Sequence, residues 1–504
     1  MVSVIIGLVM IVITAYLVIK RYYPQAVLLA SGLIMIILSI PLQGSQLLDE
    51  ETTTGSAWLD VFDLIRLTMQ STFAGLGLTI MAVGGFALYM EKIGASSALV
   101  EIAAKPLQKV KKPYLILGLT YVLGQALCIV IPSAAGLAML LMVTVYPLLI
   151  SVGISRLSAA GVIATASCLD IGPSSANSIL AADLSDMSVQ VFFISFQGPV
   201  VLVTVAVIAI MHVVVQYWFD KRQGTMPGTE IQVPVGSSTE MVKVAIAEEK
   251  RRRELVAAGK EVPPAASIDI RTLMASEDHS SAETAKKTDE HHAPKWYAIM
   301  PVLPLVLVIV FSEFVISTIS MNVITAMITC TFFALICETI RLRSLEKGLA
   351  SLKVFFEGMG RQLANVVSLV IAGQIFAEGL IQIGFIDTVI EAAQNANFGL
   401  TGMAIVLSLV ILGAAVVTGS GNAAWLAFGP LSPQVAASVN QPTVNLALPM
   451  ELSSGIGRSM SPIAGVVIVV AGMAGVNPID VVKRTIPVML IGWATMMLSS
   501  FIFH

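Results

Sequence analysis

GGFALYMEKIG at residues 84–94 and AGQIFAEGLIQIG at residues 372–384 are two versions of one phrase. Each runs from small residues through an aromatic and an acidic position to Ile-Gly. The loops after them differ. The first phrase leads into Lys105, Lys109, Lys111 and Lys112; the second leads into 385–398, which holds no Lys or Arg. Positive charge in short loops marks the cytoplasmic side of a bilayer. The same unit is therefore predicted to lie in opposite orientations in the two halves of the chain.

Two further pairs keep the spacing. Ile131-Pro132-Ser133-Ala134-Ala135-Gly136 corresponds to Thr418-Gly419-Ser420-Gly421-Asn422-Ala423, and Gly172-Pro173-Ser174-Ser175-Ala176-Asn177 corresponds to Gly457-Arg458-Ser459-Met460-Ser461-Pro462. All offsets lie between 285 and 290 residues. Inverted repeats with interrupted helices are a plan of secondary transporters. The predicted fold is an all-α polytopic membrane protein of two inverted-topology repeats with broken helices and hairpins. In this register Arg458 stands where the first half has Pro173.

Composition agrees. Of 504 residues, 56% are hydrophobic and 12% charged, against about 25% charged in a soluble domain. Mean hydropathy is +0.87. A net charge of −3 gives no basic field for nucleic acid. Cys128, Cys168, Cys330 and Cys337 all lie in apolar runs without a CxxC pair, so reduced thiols are expected. Three of the five histidines fall in the hydrophilic middle of the chain, and no metal site is expected.

A membrane span needs about 20 mostly apolar residues. Fifteen apolar runs qualify as candidates, from 3–19 and 25–42 through 73–91, 192–217 and 363–383 to 486–503. The short ones cluster at 130–185 and 415–475. The first run precedes Lys20-Arg21 rather than coming after positive charge, so it reads as a retained helix and not a signal peptide. Residues 219–296 hold 25 of the 61 charged residues, twelve of them Lys or Arg, and are predicted to form a cytoplasmic linker with one charged helix near 239–259. The division is thus 1–218, 219–296 and 297–504. Lys20 and Arg21 place the N-terminus outside; Asp49, Glu50, Glu51, Asp60 and Asp63 read as an external loop.

Non-helical backbone inside a bilayer must be buried in protein or line a cavity. The broken stretches are rich in Gly, Ser, Thr, Asn and Pro. Helix N-termini there offer N–H groups and a positive dipole end to carboxylates, and hydroxyls and carbonyls can hold Na+. Small residues also serve helix packing, but four breaks in two matched pairs favour a binding site. The candidates are Ser133, Gly136, Ser174, Ser175, Asn177, Thr418, Ser420, Gly421, Asn422, Arg458, Ser459 and Ser461. A cation in mid-membrane is costly and points to function; the Arg458 guanidinium can grip a carboxylate in a bidentate fork. The other reading of Arg458 is an ion pair with Asp170 or Glu451. Those two carboxylates are also the candidates for ion coupling, to Na+ or a proton. No nucleophile–base set for an enzyme is present, and a channel has no need of inverted broken helices.

These stretches resemble the anaerobic C4-dicarboxylate carriers of the DcuC type along the whole membrane part. The specific ones are PLQ at 106–108, Pro113-Tyr114-Leu115, GISR at 153–156, TGSGNA at 418–423, GRSMSP at 457–462, GVVIVVAGMA at 465–474 and VVKRT at 481–485. The resemblance implies a carrier that exchanges or exports succinate, fumarate, malate or aspartate across the bacterial inner membrane. It also implies a homodimer with a scaffold and a mobile transport domain moving as an elevator, with no cofactor other than Na+ as a candidate coupling ion. From the residues alone, another small carboxylate or an amino acid stays open as cargo.

Overall fold

The computed structural model describes residues 2–20, 22–43, 47–48, 52–110, 112–227, 293–311, 318, 321–385 and 399–504. The charged helix expected near 239–259, and all but the first residue of 385–398, lie outside them. The first half comprises α1 (Val2–Ile19), α2 (Pro24–Gln43), α3 (Ala57–Thr72), α4 (Leu78–Lys92), α5 (Ala95–Ala104), α6 (Pro113–Cys128), α7 (Ala134–Thr144), α8 (Tyr146–Ser151), α9 (Arg156–Ala164), α10 (Ala176–Leu184), α11 (Val189–Val191) and α12 (Gly198–Gln223). The second comprises α13 (Leu303–Val310), α14 (Val323–Leu342), α15 (Leu345–Ser351), α16 (Lys353–Gln362), α17 (Ser368–Gln382), α18 (Leu400–Thr418), α19 (Gly421–Phe428), α20 (Ser432–Ser438), α21 (Val444–Arg458), α22 (Gly465–Ala474) and α23 (Pro478–Phe503). Among the described residues, seven helices are long and apolar enough to cross a bilayer.

The repeat is visible in local geometry. A five-residue π-helical turn, Phe73–Gly77, precedes α4, and another, Leu363–Val367, precedes α17. The helices after these turns are both 15 residues long, and both end on Ile and then a glycine with positive φ: Gly94 at 80° and Gly384 at 73°. A side chain there would be strained, which accounts for the shared Ile-Gly.

Packing repeats it again. α2 lies against α17 as α14 lies against α4, and α3 meets α17 as α16 meets α4. α7 packs on α22 as α19 packs on α10; α9 meets α22 as α21 meets α10. Helices α12 and α23 pack on each other. Close approach explains the glycines in the paired phrases. A methyl on Gly358 of α16 would stand 2.8 Å from the Cα of Gly85, and one on Gly379 would stand 2.8 Å from the Gly32 carbonyl.

Several expectations shift in detail. The runs 73–91 and 363–383 are the later parts of continuous helices, Ala57–Lys92 and Leu345–Gln382. Asp60 and Asp63 therefore sit on α3 rather than in a loop; Asp60 gathers Thr53 and the Thr54 N–H and hydroxyl near the helix start. Helix α12 continues past 218 to Gln223 and buries Asp220 completely. The second anchor pair also slips. Helices α9 and α21 start 288 residues apart, at Arg156 and Val444. In that register the counterpart of Arg458 is Asp170, not Pro173, because the break after α9 opens earlier than the break after α21.

Candidate functional site

Four helix ends meet in the interior. In the first half, α6 ends at Cys128 and α7 starts at Ala134; α9 ends at Ala164 and α10 starts at Ala176. In the second half, α18 ends at Thr418 with Gly419 at φ 76°, and α21 ends at Arg458 before α22. The first two breaks touch through Ser174, whose hydroxyl donates to the Ile129 carbonyl. The 418–422 break meets α21 where Gly421 lies under the Ser454 carbonyl, and meets α10 through Asn177. The segment after α9 meets α21 at Gly455, packed on Cys168, and at Arg458.

At this junction Arg458 and Asp170 face each other. Arg458 Nη2 donates to the Ser167 carbonyl at 2.9 Å, and Nη1 lies 3.6 Å from Asp170 Oδ2. The two residues are 6% and 7% exposed. Asn177 Nδ2 donates to Asp170 Oδ2 at 3.0 Å and to Asn422 Oδ1 at 3.1 Å, while Trp425 Nε1 donates to the Asn177 carbonyl. One chain, Arg458–Asp170–Asn177–Asn422, thus joins three of the four breaks and both repeats. The ion-pair reading of Arg458 is realised with Asp170.

Glu451, two helical turns before Arg458 on α21, is 1% exposed. Gln197 Nε2 donates to both its oxygens at 3.0 and 3.1 Å, and Ser178 Oγ donates to Oε1 at 2.7 Å. The Gly172 N–H donates to Gln197 Oε1 at 3.1 Å, which fixes the amide with its donors toward Glu451. Among the described residues no Lys, Arg or His lies within ion-pair distance of this carboxylate.

The other candidates have more local partners. Ser133 Oγ accepts from the Gly136 N–H at 3.1 Å, and Ser420 Oγ accepts from the Ala423 N–H at 3.1 Å, so both are N-caps of half-helices. Thr418 Oγ donates to the Ala414 carbonyl and accepts from the Ser420 N–H. Ser459 donates to the Gly455 carbonyl, and its own carbonyl accepts from Thr485. Ser175 holds the N-cap position of α10 without a side-chain cap bond. Ser461 is fully buried, its hydroxyl without a hydrogen-bond partner among the described residues. An apolar crevice beside the first two breaks is lined by Pro132, Pro173, Ser174, Pro301, Pro304 and Met327; Arg458 does not line it. Among the described residues no group of three or more His, Cys, Asp or Glu could hold a metal.

Sequence reading overlooked a second buried pair. Arg484 Nη1 lies 2.6 Å from Asp220 Oδ1, with exposures of 1% and 0%. Ser155 and Ser158 donate to the two Asp220 oxygens at 2.7 and 2.8 Å, and Tyr114 donates at 3.1 Å. Arg484 also donates to Ser158 at 2.7 Å and to Gln223. The motifs GISR and VVKRT meet here, joining α9, α12 and α23. Arg484 entered the sequence reading only within the stretch VVKRT, with no role assigned to it.

An all-helical fold of inverted repeats around converging broken helices, with charged groups buried at their meeting point, is the plan of a polytopic membrane transporter. The profile of the C4-dicarboxylate anaerobic carrier family, DcuC, matches residues 2–258 and 269–504, and the chain belongs to that family. The anaerobic C4-dicarboxylate transporter DcuC of Escherichia coli K12 is 33% identical over 493 residues, covering 97% of this chain and 94% of that one; the Shigella flexneri protein of the same name matches equally. The crystal structure of the Alcanivorax borkumensis YdaH transporter aligns with a TM-score of 0.53 at 12% identity, over 95% of this chain and 98% of that one, a likeness of fold.

Proposed function

We propose that the chain is a secondary carrier of C4-dicarboxylates (succinate, fumarate, malate and aspartate) across the bacterial inner membrane. It works by exchange or with a coupled ion. The observation that carries this reading is a guanidinium, Arg458, buried where the broken helices of both repeats converge. A buried Arg can bind carboxylate through two parallel hydrogen bonds. The N-termini of α7 and α19, capped by Ser133 and Ser420, offer N–H groups to a second carboxylate. Gly136, Gly421 and Asn422 lie in those first turns; Ser174, Ser175, Asn177, Thr418, Ser459 and Ser461 complete the wall.

The broken-helix bundle is the moving part, and α2, α4, α14, α16 and α17 form the scaffold of an elevator in a homodimer. The central linker is cytoplasmic and the N-terminus external. Glu451, buried with no cationic side chain beside it among the described residues, is the group for the coupling ion, Na+ or a proton.

Arg458→Ala is expected to abolish labelled-succinate counterflow in proteoliposomes while the protein still elutes as one folded species in detergent. Wild-type rates in that variant would remove Arg458 from the site. A carrier for another small carboxylate or an amino acid is the second reading, favoured by the carboxylates of Asp170 and Glu451, which could meet a substrate ammonium. Competition of labelled succinate by monocarboxylates and by amino acids other than aspartate separates the two.

A further inference from the structure

Among the described residues, two buried aspartate–arginine pairs join one repeat to the other, and they are built differently. Asp220 and Arg484 stand 2.6 Å apart, with Ser155, Ser158 and Tyr114 all donating to the carboxylate. The carboxylate of that pair is closed on both oxygens, as expected of a staple. Asp170 and Arg458 are also buried, yet they stand 3.6 Å apart, beyond the 2.7–2.9 Å of a charge-assisted contact. Asn177 is the one hydrogen-bond donor to Asp170 among the described residues. Asp170 stands on non-helical backbone at φ 53°, a region few residues with side chains adopt. A pair buried at that separation bears the desolvation of two charges without a direct hydrogen bond between them. A contact made to last would close; a contact made to exchange need not.

Asp170 presents to Arg458 the same functional group as either end of a dicarboxylate. We propose that Asp170 is a tethered carboxylate that occupies Arg458 in the absence of substrate, and that a substrate carboxylate displaces it during transport. The proposal rests on the dicarboxylate reading of the site. Its consequence is selectivity. A tethered group competes at high effective concentration. A monocarboxylate offers Arg458 only what Asp170 already supplies, so it gains little by displacing it. A dicarboxylate brings a second charge to the half-helix N-termini and wins. Asn177 retains the displaced Asp170 through its amide and so positions it for return.

The test compares Asp170→Asn and Asp170→Glu with wild type in proteoliposomes, measuring half-saturation of labelled-succinate counterflow and inhibition by butyrate. Removing the tethered charge is expected to lower the half-saturation concentration several-fold and to make butyrate an inhibitor. Glutamate, one methylene longer, closes the gap to Arg458 and is expected to raise the half-saturation concentration with butyrate still inert. A merely structural aspartate would move both variants in the same direction, and that result, or no change in either, overturns the proposal. Should Asp170→Asn not fold, Asp170→Glu decides alone: an unchanged or lowered value overturns it. Wild-type protein without succinate counterflow would instead overturn the dicarboxylate reading, and this proposal with it.

Discussion

Glu451 receives three donated hydrogen bonds from Gln197 and Ser178. Among the described residues no cationic side chain stands beside it, so only dipoles are at hand to balance a charge there. Such a carboxylate in a low-dielectric interior is expensive when ionised, which makes it a place to bind a cation. Glu451→Gln keeps the volume and the acceptor oxygen. It is expected to fold, to keep succinate counterflow, and to lose uptake driven by a Na+ or proton gradient. Gradient-driven uptake at the wild-type rate would exclude Glu451 from coupling. At this scale the sequence was legible where charge is rare: Arg458, Asp170 and Glu451 each stood out as ionisable groups in apolar surroundings. Gln197 did not, because a neutral amide within an apolar run carries no signal until the fold sets it against Glu451. The serines were legible as a group but not in role, since Ser133 and Ser420 cap backbone.

Elements depend on the second buried pair. Arg484 of α23, Asp220 of α12 and Ser155 at the start of α9 form one polar knot in an apolar interior. Arg484→Met leaves Asp220 buried without its counter-charge, which costs about 3–5 kcal/mol. Thermal unfolding of the purified protein is expected to show a markedly lower midpoint, and adding Asp220→Leu should restore part of it. An unchanged midpoint in Arg484→Met would show that the knot does not hold these helices together. The knot was invisible in the sequence because Asp220 read as the beginning of a hydrophilic linker. The glycines of α4 and α17 were legible as part of the paired phrases, but the reason for Gly85 and Gly379, backbones in near contact with Gly358 and Gly32, needs the partner helix. Likewise the break after α9 could be located but not registered, so Asp170, named as one of two ion-pair partners for Arg458, was not recognised as its counterpart in the repeat.

The two repeats are alike in the π-helical turns before α4 and α17 and in reciprocal packing, and unlike in chemistry. Positions related by the repeat carry Asp170 in one half and Arg458 in the other. That difference turns a symmetric frame into a polar site, and it is why a fold shared with a 12%-identical transporter does not by itself define a substrate. The frame was open to sequence reading because hydropathy and loop charge are whole-chain signals. The site was only partly open because it is made where two distant stretches meet. The most direct measurement is counterflow in proteoliposomes, with labelled succinate outside and a panel of acids inside. Succinate, fumarate, malate and aspartate are expected to drive saturable exchange that disappears in Arg458→Ala, while monocarboxylates inside drive none. Non-saturable flux, or exchange driven equally well by monocarboxylates, would contradict a dicarboxylate carrier built around Arg458.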